Sequence, residues 1–443
     1  MHIGSGFARV LQRGILLVGL CAGFLLIAGC GSGGSGGSQQ GIGAVSNICL
    51  SQTGILTTPE TTSTNTLPIY LGSAGDNSPN VCGQFINDPC TDVTLCTASG
   101  SDCQTINNVL IDTGSSGLRV FASVLSNTAD FTVVGINGQP VGECAQFGIG
   151  SYGDWGYLVY AQVGLGKEPP VTVPIQIIDP TFAGQYTSSG TSSPSNTSCG
   201  SSFTPDTSPS QAGFNAILGV GLGVHWCGST CATSTSPGYY FTCPSSSCSP
   251  STLSLCSQDQ NPVDSLPTDG NGVALDLPPI SSSTNSLTGT LYIGIGTESN
   301  NTPAAGVTAY PATGPPNFVF DTTFNGTTYN ADSYPKLAYI DSGSPEYYFT
   351  DSSIHTCSEF GSQFYCPSGE DTLSATIAGD NGSPVITVSF SVATPASGAL
   401  IFDNIGSLGG GFDWGLPFFF GREVFVGING KTSTLGTGPY WAF

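Results

Sequence analysis

The chain has 443 residues, with 7 Lys or Arg against 29 Asp or Glu and a formal charge of −22. Phosphate recognition needs clustered cations, so nucleic acid is excluded as a partner. With 62 glycines, 30 prolines and only 8% charged residues, the composition favours strands and turns over long helices, and the length suits two lobes better than one small domain.

Arg9 and Arg13 precede an apolar run from Ile15 to Ala28. The run is too short to cross a bilayer comfortably and reads as a secretory signal. Its end, Leu26-Ile27-Ala28-Gly29-Cys30, resembles a bacterial lipobox, which implies a signal peptide over 1–29 and diacylglycerol on Cys30. Residues 30–59, opening Gly31-Ser32-Gly33-Gly34-Ser35, then read as a flexible Gly/Ser tether holding the protein at a membrane. Gly31 is not a retention aspartate, which favours the outer membrane of the cell envelope. Removing Cys21 and Cys30 from the sixteen cysteines leaves fourteen, an even number that in an exported chain reads as disulfides. The pairs Cys96/Cys103, Cys227/Cys231, Cys243/Cys248 and Cys357/Cys366 are spaced to staple local loops. A zinc site on Cys227, Cys231, Cys243 and Cys248 is the competing use, and an oxidising compartment disfavours it.

From about residue 60, short apolar runs alternate with turns. The runs at 93–96 and 108–111 are expected to pair as a hairpin with Cys96 and Cys103 near its turn. Leu118-Arg119-Val120-Phe121 resumes as a strand, and Ile136-Asn137-Gly138-Gln139 signals a tight hairpin. Cys144 to Gly153 forms a glycine-spaced aromatic hairpin. The Ser/Thr/Pro/Gly stretch 186–211 has no period and reads as a long surface loop. His225 and His355 stand far apart without metal-like spacing and are read as structural or surface residues.

Two runs carry the chemistry. Val109-Leu110-Ile111-Asp112-Thr113-Gly114-Ser115-Ser116-Gly117 and Ala338-Tyr339-Ile340-Asp341-Ser342-Gly343-Ser344 each deliver an aspartate from an apolar strand into a hydroxyl-rich turn. One such run alone is an ordinary Asx turn. Two of them, each followed later by an apolar-apolar-glycine run (Ile217-Leu218-Gly219 and Phe419-Phe420-Gly421), point to a pair. Two carboxylates sharing one site cannot both ionise comfortably, which makes the pair an acid and a base at once.

This order resembles the pepsin-like aspartic peptidases: Asp112 to Ser116 matches D-T-G-S-S, and Phe214-Asn-Ala-Ile-Leu-Gly219 looks like the family's F-D-G-I-L-G. The layout is most similar to an uncharacterised bacterial family of exported, cysteine-rich pepsin-like lipoproteins, with Phe412-Asp-Trp-Gly-Leu-Pro-Phe-Phe-Phe-Gly421 and Gly438-Pro-Tyr-Trp441 as further marks. The resemblance implies an all-β bilobal fold with a central cleft, an N-terminal lobe over 60–284 and a C-terminal lobe over 285–443. It implies Asp112 and Asp341 as the catalytic dyad of an endopeptidase that needs neither cofactor nor metal. Thr113 and Ser342 match hydroxyls that lock the two turns together, and Gly114 and Gly343 let backbone approach the carboxylates. Ser115 and Ser344 match hydroxyls that bond an aspartate oxygen and draw a pKa down, so an acidic optimum is expected. Gly219 and Gly421 are the glycines expected in the strands threading the turns.

Phe147, Gly148, Gly150, Ser151 and Tyr152 align with the substrate-covering flap, and Phe147 stands where the family usually has tyrosine. Tyr152 and Trp155 either replace that missing donor or pack the hairpin. Arg119 stands at a position where tryptophan is common, and is read as a surface charge, an ion pair or a substrate contact. The expected partners are an extended peptide or unfolded protein, and the membrane through Cys30; the chain is expected to be monomeric. A catalytically silent peptide-binding lipoprotein is the alternative reading. A glycoside hydrolase, which also uses paired carboxylates, fits the D-T-G turn poorly.

Overall fold

A computed structural model describes residues 42–47, 65–73, 85–147, 152–193, 198–245, 247–315, 317–357 and 364–443. Residues 1–29, read as a signal peptide, together with Cys30, Gly148, Gly150 and Ser151, lie outside the described residues. Among the described residues the protein is all-β, its only α-helices being the short Pro209–Ala212 and Ser229–Thr233.

The first half builds β1 (Thr66–Gly72), β2 (Cys90–Thr97), β3 (Gln104–Asp112), β4 (Ser116–Phe121), β5 (Gln139–Phe147), β6 (Tyr152–Gly164), β7 (Val171–Ile178) and β8 (Ala216–Val220). The second half adds β9 (Gly272–Leu277), β10 (Ser286–Ile293), β11 (Ala338–Ile340), β12 (Tyr347–Phe349), β13 (Asp371–Ala378), β14 (Val385–Val392), β15 (Phe412–Trp414) and β16 (Arg422–Gly427). β2 and β3 form the expected hairpin, closed by the Cys96–Cys103 disulfide. Asn137 and Gly138 both adopt positive φ, the geometry of a two-residue hairpin turn, and β5 and β6 pair up to Phe147 and Tyr152. β4 and β8 are buried along their whole length, so their sequences are continuously apolar apart from Arg119 and the small residues. β13 and β14 face water on one side. Their alternation puts Ala375, Ile377, Val388, Phe390 and Val392 inward and Thr or Ser outward. Phe390, Phe349, Phe412 and Trp414 then pack ring against ring, each pair adding about 0.5–1.5 kcal/mol beyond its buried area.

The two halves share a sheet. β9 pairs with both β10 and β16, while β10 pairs with β1, so the division expected between 284 and 285 falls inside a hairpin whose neighbours come from both ends of the chain. Within the stretch read as tether, Val45–Ser46 forms a short parallel pairing with Val133 and Val134. All four local cysteine pairs are disulfides, which removes the thiolates a zinc site would need. A further bond, Cys144–Cys199, ties β5 to the 186–211 stretch. That stretch is not a plain surface loop. Tyr186 and Phe203 are buried, with Tyr186 edge-on to Trp155, and two aromatics seventeen positions apart leave no period to read.

Candidate active site

β3 and β11 end at equivalent places and deliver Asp112 and Asp341 into facing turns. The reason is local. After each aspartate a hydroxyl residue and a glycine turn the backbone back, so its N–H groups face the carboxylate rather than a neighbouring strand. Gly114 N–H donates to Asp112 Oδ1 at 2.8 Å and the Ser115 hydroxyl to Oδ2 at 2.5 Å. In the other turn Gly343 N–H donates to Asp341 Oδ1 at 2.8 Å and the Ser344 hydroxyl to Oδ2 at 2.9 Å. The turns interlock through Thr113 and Ser342. Ser342 N–H donates to Thr113 Oγ1 at 2.9 Å, and Thr113 N–H to Ser342 Oγ at 3.1 Å. Each hydroxyl then donates across the seam, Thr113 to the Ile340 carbonyl and Ser342 to that of Ile111.

Each glycine abuts the opposite aspartate. A Cβ on Gly114 would stand 2.5 Å from Asp341 Cγ, and one on Gly343 would stand 2.9 Å from Asp112 Cγ. The two carboxyl groups are hydrogen-bonded to one another. Burial, the neighbouring Asp112 charge and that shared hydrogen bond hold the Asp341 carboxyl well above the usual range, outweighing Ser344 and Gly343, which draw it down. The downward pull expected from Ser344 is therefore present and is overcome.

The threading strands are β8 and β15. β8 lies parallel to β3, with Leu218 beside Ile111 and Gly219 beside Asp112. β15 lies parallel to β11, with Trp414 beside Ile340, and Asp341 N–H donates to the Trp414 carbonyl. The residue matching Gly219 is therefore Gly415, not Gly421. Gly421 sits past the following turn at φ +75°, beside Pro279, where β16 begins. The triplet Asp413-Trp414-Gly415 carries one apolar position fewer than Phe419-Phe420-Gly421, and that aspartate hides the correct register.

Of the expected flap residues, Phe147 and Tyr152 face each other as the last described pair of the β5–β6 hairpin. Phe147 packs edge-on against Trp226 and lies 5.7 Å from the Arg119 guanidinium. Trp155 is fully buried and donates its indole N–H to the Phe182 carbonyl, so it packs the hairpin. Arg119 is the ion pair among its three readings. It is fully buried, 2.9 Å from Asp259, 4.5 Å over the Trp226 ring, and donates to the Ser116 carbonyl. Glu143 and Asp154 complete a buried cluster in which one cation faces three carboxyls. Burial pushes Glu143 up to about 7 despite Arg119, and Asp259 also stands well above its usual range. Residue type flags none of these acids, because their burial depends on pairing distant strands.

An all-β protein with two interlocked aspartate turns is thus defined, its paired carboxyls held in near-symmetric hydrogen-bond shells. The chain belongs to the family described as protein of unknown function DUF3443, whose pattern it matches over residues 61–443. No curated protein matches it.

Proposed function

We propose that the protein is an exported, membrane-tethered aspartic endopeptidase acting on extended peptide or unfolded protein, in a pepsin-like arrangement of two β-rich halves. The observation that carries this reading is the hydrogen-bonded pair Asp112–Asp341 inside its reciprocal glycine and hydroxyl shells. Amide hydrolysis without a covalent intermediate needs a nucleophilic water and a polarised carbonyl together. The ionised partner of the dyad takes a proton from a water bridging the pair, and the protonated partner donates to the substrate carbonyl oxygen. Which carboxyl holds the proton is a property of the pair. Tethering through lipidated Cys30 rests on the lipobox resemblance alone.

The test is cleavage of a reduced, unfolded protein by the mature chain across pH 3 to 8, with and without pepstatin. Asp112→Asn and Asp341→Asn are each expected to lower the rate by at least about 10²–10⁴-fold while leaving the fold intact by circular dichroism. Saturable peptide binding without cleavage at any pH, unaffected by either substitution, would establish the silent binding reading instead.

A further inference from the structure

The stretch read as a tether contains a seated segment. Val45 and Ser46 pair in parallel with Val133 and Val134 of the strand Thr132–Ile136. Val133 N–H donates to the Ala44 carbonyl at 2.8 Å, and Gly138 N–H donates to Asn47 Oδ1, also at 2.8 Å. Two glycines make the room for this. A Cβ on Gly43 would collide with the Phe131 carbonyl oxygen, and one on Gly135 would collide with the Val45 side chain and stand 2.9 Å from Asn47 Oδ1. Val45 is half-buried and packs against the main core. The sequence allows it because Ala44-Val45-Ser46-Asn47 sets a β-branched residue and a side-chain amide after a run of glycine and serine.

We propose that residues 42–47 are a strap that fixes the height of the protein over the membrane, and so restricts its substrates to polypeptide held at or near the membrane surface. The membrane half of this inference rests on the lipobox reading of Cys30, and the substrate half on the peptidase reading; the strap itself rests on neither. Eleven residues, 31–41, separate Cys30 from the strap. Fully extended they span at most about 40 Å. Without the strap the first fixed point would be β1, and residues 31–64 could span about 120 Å. A compact fold of roughly 380 residues is about 55 Å across. With the strap seated, a peptide bond more than about 95 Å above the bilayer surface is therefore out of reach. With the strap released, that limit rises to about 175 Å. Charge does not draw the fold closer. With 29 acidic residues against 7 basic ones, the chain offers no basic patch to anionic headgroups, and the anchor and the strap alone set the height.

The test has two arms. In the first, hydrogen exchange is followed on the full mature chain carrying Cys30→Ser, with neither membrane nor substrate present. Val45→Asp sets a charge against the core and Asn47→Ala removes the acceptor, and both leave the strand Thr132–Ile136 intact. The Val133 amide should exchange at least about tenfold faster in Val45→Asp, and the Gly138 amide likewise in both variants. Amides that exchange as fast in wild type as in the variants would overturn the strap.

In the second arm, the acylated chain sits on vesicles that also carry peptides raised on spacers of about 10 or about 40 prolines, roughly 30 and 120 Å long. Wild type should cut only the peptide on the short spacer, and Val45→Asp should cut both. Wild type that cuts both equally would overturn the height limit, and a chain recovered with no acyl group on Cys30 would overturn the membrane placement. If no form cuts either peptide while the exchange difference is present, the peptidase reading fails and the strap stands. Neutron reflectivity must then still show the protein layer moving outward from the bilayer in Val45→Asp, and an unmoved layer would sink the height limit as well.

Discussion

Thr113 and Ser342 hold the two turns together with four hydrogen bonds, each side chain both donating and accepting. Replacing either by alanine leaves buried backbone N–H and carbonyl groups unpaired, at about 1–3 kcal/mol. Because the two hydroxyls share one network, the double variant should cost less than the sum of the singles. Urea unfolding of Thr113→Ala, Ser342→Ala and the pair measures this, and strict additivity would contradict the interlock. These residues were legible because the chemistry of a carboxylate turn names its own neighbours: a glycine for close backbone, a hydroxyl for the second oxygen. Arg119 was not. Its partner Asp259 comes from beyond β8, and nothing in Leu118-Arg119-Val120-Phe121 tells a buried guanidinium from a solvated one.

The strands that thread the turns carry the main misreading at the level of elements. An apolar-apolar-glycine pattern chose Phe419-Phe420-Gly421, while hydrogen bonding places Phe412–Trp414 beside β11. Periodicity rewards the more hydrophobic run, and a buried acid inside the true strand lowers its score. The two glycines should respond differently to substitution. A side chain on Gly415 collides with the Glu346 and Ser344 carbonyls, both backbone atoms that cannot swing away. Gly421 needs only a left-handed backbone, with Pro279 at 3.1 Å, and asparagine tolerates that conformation. Gly415→Ala is expected to destabilise by about 3 kcal/mol or more, and Gly421→Asn by about 1 kcal/mol. Equal losses of melting temperature would place the threading strand elsewhere. The β2–β3 and β5–β6 hairpins were legible from alternation and turn residues, whereas the anchoring of 186–211 depends on Cys199 finding Cys144.

Across the whole molecule, every acid with a shifted proton affinity among the described residues is shifted upward. Burial pushes Glu143 to about 7 and Glu346 to about 8 from an ordinary 4.5. Between those values the folded chain keeps protons that the unfolded chain has released, so stability falls as pH rises, by about 1.4 kcal/mol per unit per group. The melting temperature is expected to be highest near pH 4–5 (roughly the free carboxyl range) and to decline toward pH 8, with Glu346→Gln flattening the decline. A melting temperature that climbs from pH 5 to pH 8 would refute this.

The sheet shared by both halves also governs how such a chain comes to be folded. β1, early in the sequence, meets β2 at the single pair Tyr70 and Cys90 and finds its long partner only at β10, and β9 gains its second neighbour only at β16, near the far end. A chain growing from its first residue onward has no full-length partner for this opening strand until most of its length has followed. Closure of this sheet is therefore a late event in folding. A chain cut short before β16 is not half of this protein but a sheet left with an open edge along β9.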